Sequence, residues 1–225
     1  MKGNRKLRTD TQAINAGALT RFLVVLFVKA RNQKYIRRVW KPSLGLTSAW
    51  NVCIKVKPFD DHLAEAHAMQ LVGPQTSIPV PKVYCAFGYK GTSYIVMSRV
   101  QGKTAWLGWL QRTPRSKARV LEQLRRMLAE LRSIPPPEGV KVGNVDGVPF
   151  YDCRLPSKLF WGPYETDLAK LIEFYRRAPN ELVLTHGDLS SLNVLVRDDE
   201  VVGIVDWEIA GCFPPYWERK YFGAF

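Results

Sequence analysis

Two carboxylates and one amide stand out between Leu182 and Trp207: Asp188 in the triplet His186-Gly187-Asp188, then Asn193, then Asp206. The apolar run Leu182-Val183-Leu184 leads into this triplet, and Val194-Leu195-Val196 directly follows Asn193. The charged turn Arg197-Asp198-Asp199-Glu200 and the run Val201 to Val205 predict a hairpin whose second strand ends at Asp206. In an antiparallel pair the start of one strand lies beside the end of the next, so Asn193 and Asp206 should meet at one end, with Asp188 on the loop feeding it. Hard oxygen donors without sulfur or imidazole suit Mg²⁺ far better than zinc, and a metal held this way commonly bridges phosphates. The competing reading is a polar hairpin beside a buried strand, since Asp, Asn and Gly populate turns. Each element alone favours that reading; spacing and both flanking strands together favour chemistry.

Several elements could position this set. Asn51 to Lys57 alternates strictly, placing Val52, Ile54 and Val56 on one face and Cys53, Lys55 and Lys57 on the other. Periodicity therefore leaves two lysines, Lys55 and Lys57, as candidates to meet phosphates. Asp60 or Asp61 can cap a helix running to about Val72, with Glu65 inside it and Gly73-Pro74 as its stop. Ile78-Pro79-Val80-Pro81 fixes an extended entry to two strands, Lys82 to Phe87 and Ser93 to Met97, joined by Gly88 to Gly91. From Ser116 to Ser133, apolar residues recur at three and four (Val120, Leu124, Met127, Leu128, Leu131), the stripe of a core-facing helix with arginines opposite. A further helix is expected at about Glu165 to Arg177.

At 225 residues with 46% hydrophobic content the chain can bury a sizeable core. A net charge of +13 by itself points to an anionic partner, but a small anionic ligand and general solubility are served by the same charge and no nucleic-acid motif accompanies it, so nucleic-acid binding is not expected. The four cysteines are widely spaced, which argues against a disulfide framework and a zinc site and for a reduced, cytoplasmic setting. His62 and His67 fall at a spacing that shares no helix face, and read as surface or packing residues; His186 reads as an orienter of its loop through backbone hydrogen bonds. Phe22 to Val28 is strongly apolar but bounded by Arg21 and Lys29, far short of the roughly 20 residues needed to span a bilayer. It is expected to be a buried helix or strand, the alternative being a weak membrane-surface segment.

With Gly187 after His186, and with Ile204-Val205-Asp206-Trp207-Glu208 closing the hairpin, the sequence resembles the aminoglycoside phosphotransferase and choline kinase branch of the protein-kinase-like fold. Thr76 to Tyr84, Tyr94 to Met97 and Pro215-Tyr216-Trp217-Glu218 agree with it, over about Val39 to Glu218. The resemblance implies a two-lobed α+β fold: a basic extension over 1–38, a small lobe of antiparallel sheet plus helix over 39–100, and a mainly helical large lobe with the catalytic hairpin over 101–225. It implies ATP-dependent transfer of the γ-phosphoryl group to a hydroxyl of a small molecule, with ATP and Mg²⁺ as cofactors. Carried over by motif, Asp188 is the catalytic base or hydroxyl orienter, Asn193 and Asp206 are the metal ligands, and Glu208 supports the metal. Lys55 clamps the α and β phosphates, Glu65 partners it, and Ser98 and Val100 belong to a hinge whose backbone meets adenine. Relatives of this kind are usually longer before the catalytic loop and after Trp217-Glu218. A catalytically impaired nucleotide- or partner-binding protein is therefore the alternative, and protein kinase a third reading. An aromatic recurrence at Trp217, Tyr221 and Phe225 is expected to leave an apolar stripe that promotes self-association.

Overall fold

The structure, a computed structural model, describes residues 13–33, 46–58, 63–136, 142–146, 182–215 and 217. Its first sheet is fully antiparallel and holds β1 (Leu46–Ala49), β2 (Val52–Pro58), β3 (Val83–Tyr89) and β4 (Thr92–Ser98) in the order β1-β2-β4-β3. β3 and β4 run longer than the sequence suggests because the turn tightens to Lys90 and Gly91, both at positive φ (49° and 71°). Two successive residues at positive φ match the right-handed twist of the strands they join, and the register closes at Tyr89↔Thr92.

The period-two alternation of β2 works as read from the sequence. Its Val52, Ile54 and Val56 side packs with Cys85, Phe87, Tyr94 and Val96 beneath helix α1 (Ala18–Arg31), which contributes Val25 and Val28. The apolar run Phe22 to Val28 is thus helical, and only part of it is covered. Ile14, just ahead of α1, exchanges both backbone hydrogen bonds with Ala86 at 2.8 and 2.9 Å, which occupies the open edge of β3. On the opposite side of the sheet, Cys53, Ile95 and Met97 join the main core.

Helix α2 (Ala64–Val72) begins at Leu63, which has no side-chain capping bond, and ends at Gly73. Asp60 and Asp61, expected as its cap, lie outside the described residues, as do His62, the helix expected near 165–177, and Tyr221 and Phe225. Helix α3 (Pro114–Ser133) starts two residues earlier than its apolar stripe suggests. Thr113 caps it by accepting from the Ser116 backbone N–H at 3.2 Å, and Pro114 occupies the first turn, where its missing N–H costs nothing. Val120, Leu124 and Leu131 are buried, with Leu121, Met127 and Leu128 packed around them. At roughly 1.5–3 kcal/mol per buried aliphatic side chain, this stripe and not helix propensity holds α3 in place. The arginines of this region are less idle than a solvated face implies, for Arg112 and Arg119 both reach Asp199 in the hairpin turn, at 3.3 and 3.2 Å.

Two small sheets complete the described fold. β5 (Lys103–Thr104), β8 (Val194–Arg197) and β9 (Glu200–Ile204) form one, in which β8 and β9 are the expected hairpin, turning at Asp198-Asp199. β6 (Gly143–Asn144), β10 (Gly211–Phe213) and β7 (Val183–Thr185) form the other, so the strand leading into His186 pairs with the chain that leaves the hairpin. This second sheet closes so tightly at Gly211 that a Cβ there would meet the Gly143 carbonyl and Asn144 Cα, both backbone. Gly211→Ala should therefore cost about 1–3 kcal/mol or more, a loss readable in the urea midpoint of unfolding, whereas an unchanged midpoint would mean the two strands can part without penalty.

Candidate active site

The hairpin brings together what the sequence separates. Val194 pairs with Ile204, and the Val205 N–H donates to the Asn193 carbonyl at 2.9 Å, so Asn193 and Asp206 bracket one end of it. The Asn193 side chain turns its Nδ2 toward the preceding loop, donating to the Asp188 carbonyl at 2.8 Å and to Asp188 Oδ2 at 3.0 Å. Both of these bonds are made through the amide nitrogen, so the Asn193 Oδ1 is not used in binding Asp188. Asp206 itself sits at φ 66°, a left-handed conformation uncommon for any residue with a Cβ and tolerated best by Asp and Asn.

His186 underlies this loop. It is fully buried, its Nε2 lies 3.0 Å from the Val205 carbonyl, and its Nδ1 is 3.2 Å from the Asp188 N–H. A carbonyl can only accept and an amide N–H can only donate, so the ring is neutral, with its proton on Nε2. Burial pushes His186 down to about 4, against the opposing pull of the Val205 carbonyl and Asp206. Trp207 packs against the ring at 4.5 Å between centroids and donates from its indole to the Ile204 carbonyl at 2.9 Å. Gly187, at φ 82°, lies so close to Ile209 that a Cβ would come within 2.5 Å of its carbonyl oxygen. The expected role of His186 as a backbone-bonded orienter is what this geometry shows.

The second half of the site comes from β2 and α2. Lys55 Nζ donates to Glu65 at 2.8 Å and to Asp206 at 2.6 Å, and reaches Glu208 at 3.5 Å. Burial disfavours the charge on Lys55, but the Glu65 and Asp206 carboxylates outweigh it and hold the ammonium well above an ordinary lysine. Lys57, which periodicity left as the other candidate, also points here: it meets Glu65 at 3.2 Å and Glu208 at 3.2 Å. Glu65 thus serves both lysines, one through each oxygen. Sequence reasoning named Lys57 only as the rival of Lys55; the alternation of β2 was the signal that both face one way.

Oxygen donors gather in the same place. Glu65, Asp206 and Glu208 each offer a carboxylate oxygen within 4.8 Å of the others. This donor set of three carboxylates fits a hard divalent cation and no soft one. His67 also departs from expectation, pairing through Nδ1 with Asp146 at 2.7 Å and so tying α2 to the short strand β6.

At the end of β4, where a hinge is expected, the Ser98 N–H donates to the Lys82 carbonyl, Ser98 Oγ accepts from the Lys82 N–H, and the Arg99 N–H donates to the Asn51 carbonyl. Val100 is the first residue past these sheet bonds. Its side chain closes on the hairpin, where a Cβ at Gly203 would lie 2.6 Å from Val100 Cγ1.

The described elements adopt the kinase-like fold of aminoglycoside phosphotransferases, as comparison with solved structures shows. Aminoglycoside phosphotransferase APH(3'')-Id from Streptomyces rimosus superposes with a TM-score of 0.56 at 19% identity, covering 93% of this chain and 84% of that one. The streptomycin–ATP complex of APH(2")-IIa gives 0.54 at 14% identity, over 91% and 75%. The ternary complex of APH(4)-Ia with ADP and hygromycin B gives 0.51 at 14% identity, over 84% and 74%. The sequence profile of the phosphotransferase enzyme family matches residues 12–218, and the chain belongs to that family. Among curated proteins no match by sequence was found.

Keeping His186 neutral links the loop to pH. The unfolded chain takes up a proton near 6.5 and the folded chain only near 4, so between those values the unfolded state binds more protons. Stability should be flat above 6.5 and fall as pH is lowered toward 4, by up to about 3 kcal/mol. Urea titrations at several pH values check this: His186→Gln should flatten the slope between 6.5 and 4, and an identical slope in that variant would place the proton uptake elsewhere.

Proposed function

We infer that the protein transfers the γ-phosphoryl group of ATP to a hydroxyl group of a small molecule. The observation that carries this is the Lys55 ammonium held between Glu65 and Asp206 at 2.8 and 2.6 Å, beside a loop in which Asn193 fixes Asp188 at 3.0 Å. That two solved structures of this fold are described as complexes with ATP or ADP together with an aminoglycoside supports nucleotide use and a small hydroxyl-bearing acceptor.

In this reading Asp188 orients the acceptor hydroxyl and takes its proton as the oxygen attacks phosphorus, and ADP leaves. The Asn193 bond holds the Asp188 carboxylate in one direction, and His186 holds the backbone beneath it. Lys55 clamps the α and β phosphates. Its three N–H groups are all engaged here, so a phosphate must displace one carboxylate, and Glu208, at 3.5 Å the longest of the three contacts and still paired with Lys57, is the one most easily released. Mg²⁺ would be held by Asn193 and Asp206 with Glu208 in support, and when bound it screens the charge on the phosphate oxygens. The backbone near Ser98 and Val100 would meet the adenine edge, between a small and a large lobe. Phosphoryl transfer draws nearly all its acceleration from such positioning and charge stabilisation. Buried thiols at Cys53, Cys85 and Cys212 and the use of ATP suit a cytoplasmic setting.

Thermal shift with ATP and Mg²⁺, followed by a phosphoryl-transfer screen over hydroxyl-bearing acceptors, tests the reading. Asp188→Asn should reduce turnover by about 10²–10⁴-fold while nucleotide binding stays within a few-fold, and near-normal turnover in that variant would sink the assignment. Binding without product for every acceptor, in the wild type, would instead favour a nucleotide-binding protein that has lost transfer.

The two lysines give a second test. Removing Lys55 leaves Glu65 its 3.2 Å pair with Lys57, so Lys55→Ala should fold. It should weaken ATP-Mg²⁺ binding or turnover far more than Lys57→Ala, and the reverse order would assign the clamp to Lys57.

A further inference from the structure

Helix α1 is apolar on both sides. Its 14 residues contain no acidic side chain, and Val25 and Val28 are buried against the sheet. Yet Leu19, Phe22, Leu23 and Leu26 are 52–70% exposed, with Phe27 beside them at 38%. These positions recur at three and four, so they form one continuous outward stripe. A helix that is hydrophobic all round normally has both faces covered. Here one face is covered by the sheet, and the outer stripe is exposed.

In the sequence, the charge of the chain is concentrated on either side of α1. Residues 1–41 carry eleven Lys or Arg against one acid, Asp10, a net +10 of the chain's +13. Lys34, Arg37, Arg38 and Lys41 follow within ten residues of Arg31 in the sequence. Tyr35 and Trp40 sit among them, residue types that favour the boundary between hydrocarbon and water. An exposed apolar stripe flanked in sequence by cations is complementary to a surface that is itself apolar within and anionic outside.

We propose that α1 docks this protein on an anionic lipid surface, with Leu19, Phe22, Leu23 and Leu26 entering the acyl boundary and the flanking Lys and Arg residues meeting the headgroups. At about 21 Å long the helix is too short to cross a bilayer, and among the described residues no helix can, so the association lies in the plane of the membrane. The alternation of β2 puts α1 on one face of the sheet and Lys55 on the other, so docking leaves the Lys55 face open.

Sedimentation of the full chain with vesicles tests this. Vesicles of phosphatidylcholine containing about one third phosphatidylserine should carry the protein down, vesicles of pure phosphatidylcholine should not, and raising salt from 0.1 to 0.5 M should weaken binding at least about tenfold. Leu23→Glu with Leu26→Glu, both exposed positions, should abolish binding while leaving the thermal midpoint unchanged. No sedimentation of the wild type with the anionic vesicles overturns the proposal, and so does equal binding by the double variant. If the wild type ignores both vesicle types and light scattering shows a dimer that the double variant dissolves, a second copy covers the stripe instead. If it ignores both and remains monomeric, a protein partner is the surviving occupant.

Discussion

Glu65 is the constraint around which the site is arranged. Its side chain is only 2% exposed, and a carboxylate taken that far from water is sustained only by cations and hydrogen bonds supplied by the protein. Both of its oxygens find an ammonium, Lys55 on one and Lys57 on the other, and both lysines come from the same face of one strand. Satisfying Glu65 therefore fixes the distance and rotation of α2 relative to β2. The lysines then extend the network to Asp206 and Glu208 on the chain leaving the hairpin, so one buried charge sets the relation of three segments far apart in sequence.

The hairpin end is held by different physics. Its polar surface rests on a neutral histidine whose two nitrogens bind two backbone groups, one on each side of the Asp188 to Val205 gap. Trp207 covers the ring and anchors itself to Ile204, and Gly187 leaves room for Ile209 where any side chain would collide. Charges at the surface of the site can exchange partners because the layer beneath them is apolar, hydrogen-bonded and tightly packed. That division lets Asp206 keep a left-handed backbone while its side chain remains accessible.

Much of this was legible before any coordinates. The spacing of Asp188, Asn193 and Asp206, with apolar runs on both sides, forecast a hairpin and the meeting of its ends, because antiparallel pairing dictates which residues become neighbours. Period-two alternation forecast the faces of β2, and period three-and-four forecast α3. What escaped depends on contacts between distant segments. Nothing local to Lys57 says that Glu208 waits 3.2 Å away, and nothing local to His67 announces Asp146. The exposure of Phe22, Leu23 and Leu26 was also hidden, because an apolar run records a preference for burial without saying how much of the helix a neighbouring sheet can cover.

β2 shows why the two faces of the sheet are inseparable in the sequence. Successive side chains point to opposite faces, so a strand of seven residues supplies Val52, Ile54 and Val56 to the layer beneath α1 and Cys53, Lys55 and Lys57 to the other side. A shift of one residue in its register would turn the valines toward Glu65 and drive the lysines under the helix, losing the buried ion pairs and the apolar layer together. The pairing Lys55↔Ile95 is protected against such a slip from both sides, by charge on one face and by packing on the other. Neither face needs to be strong alone, since any register that satisfies one satisfies the other.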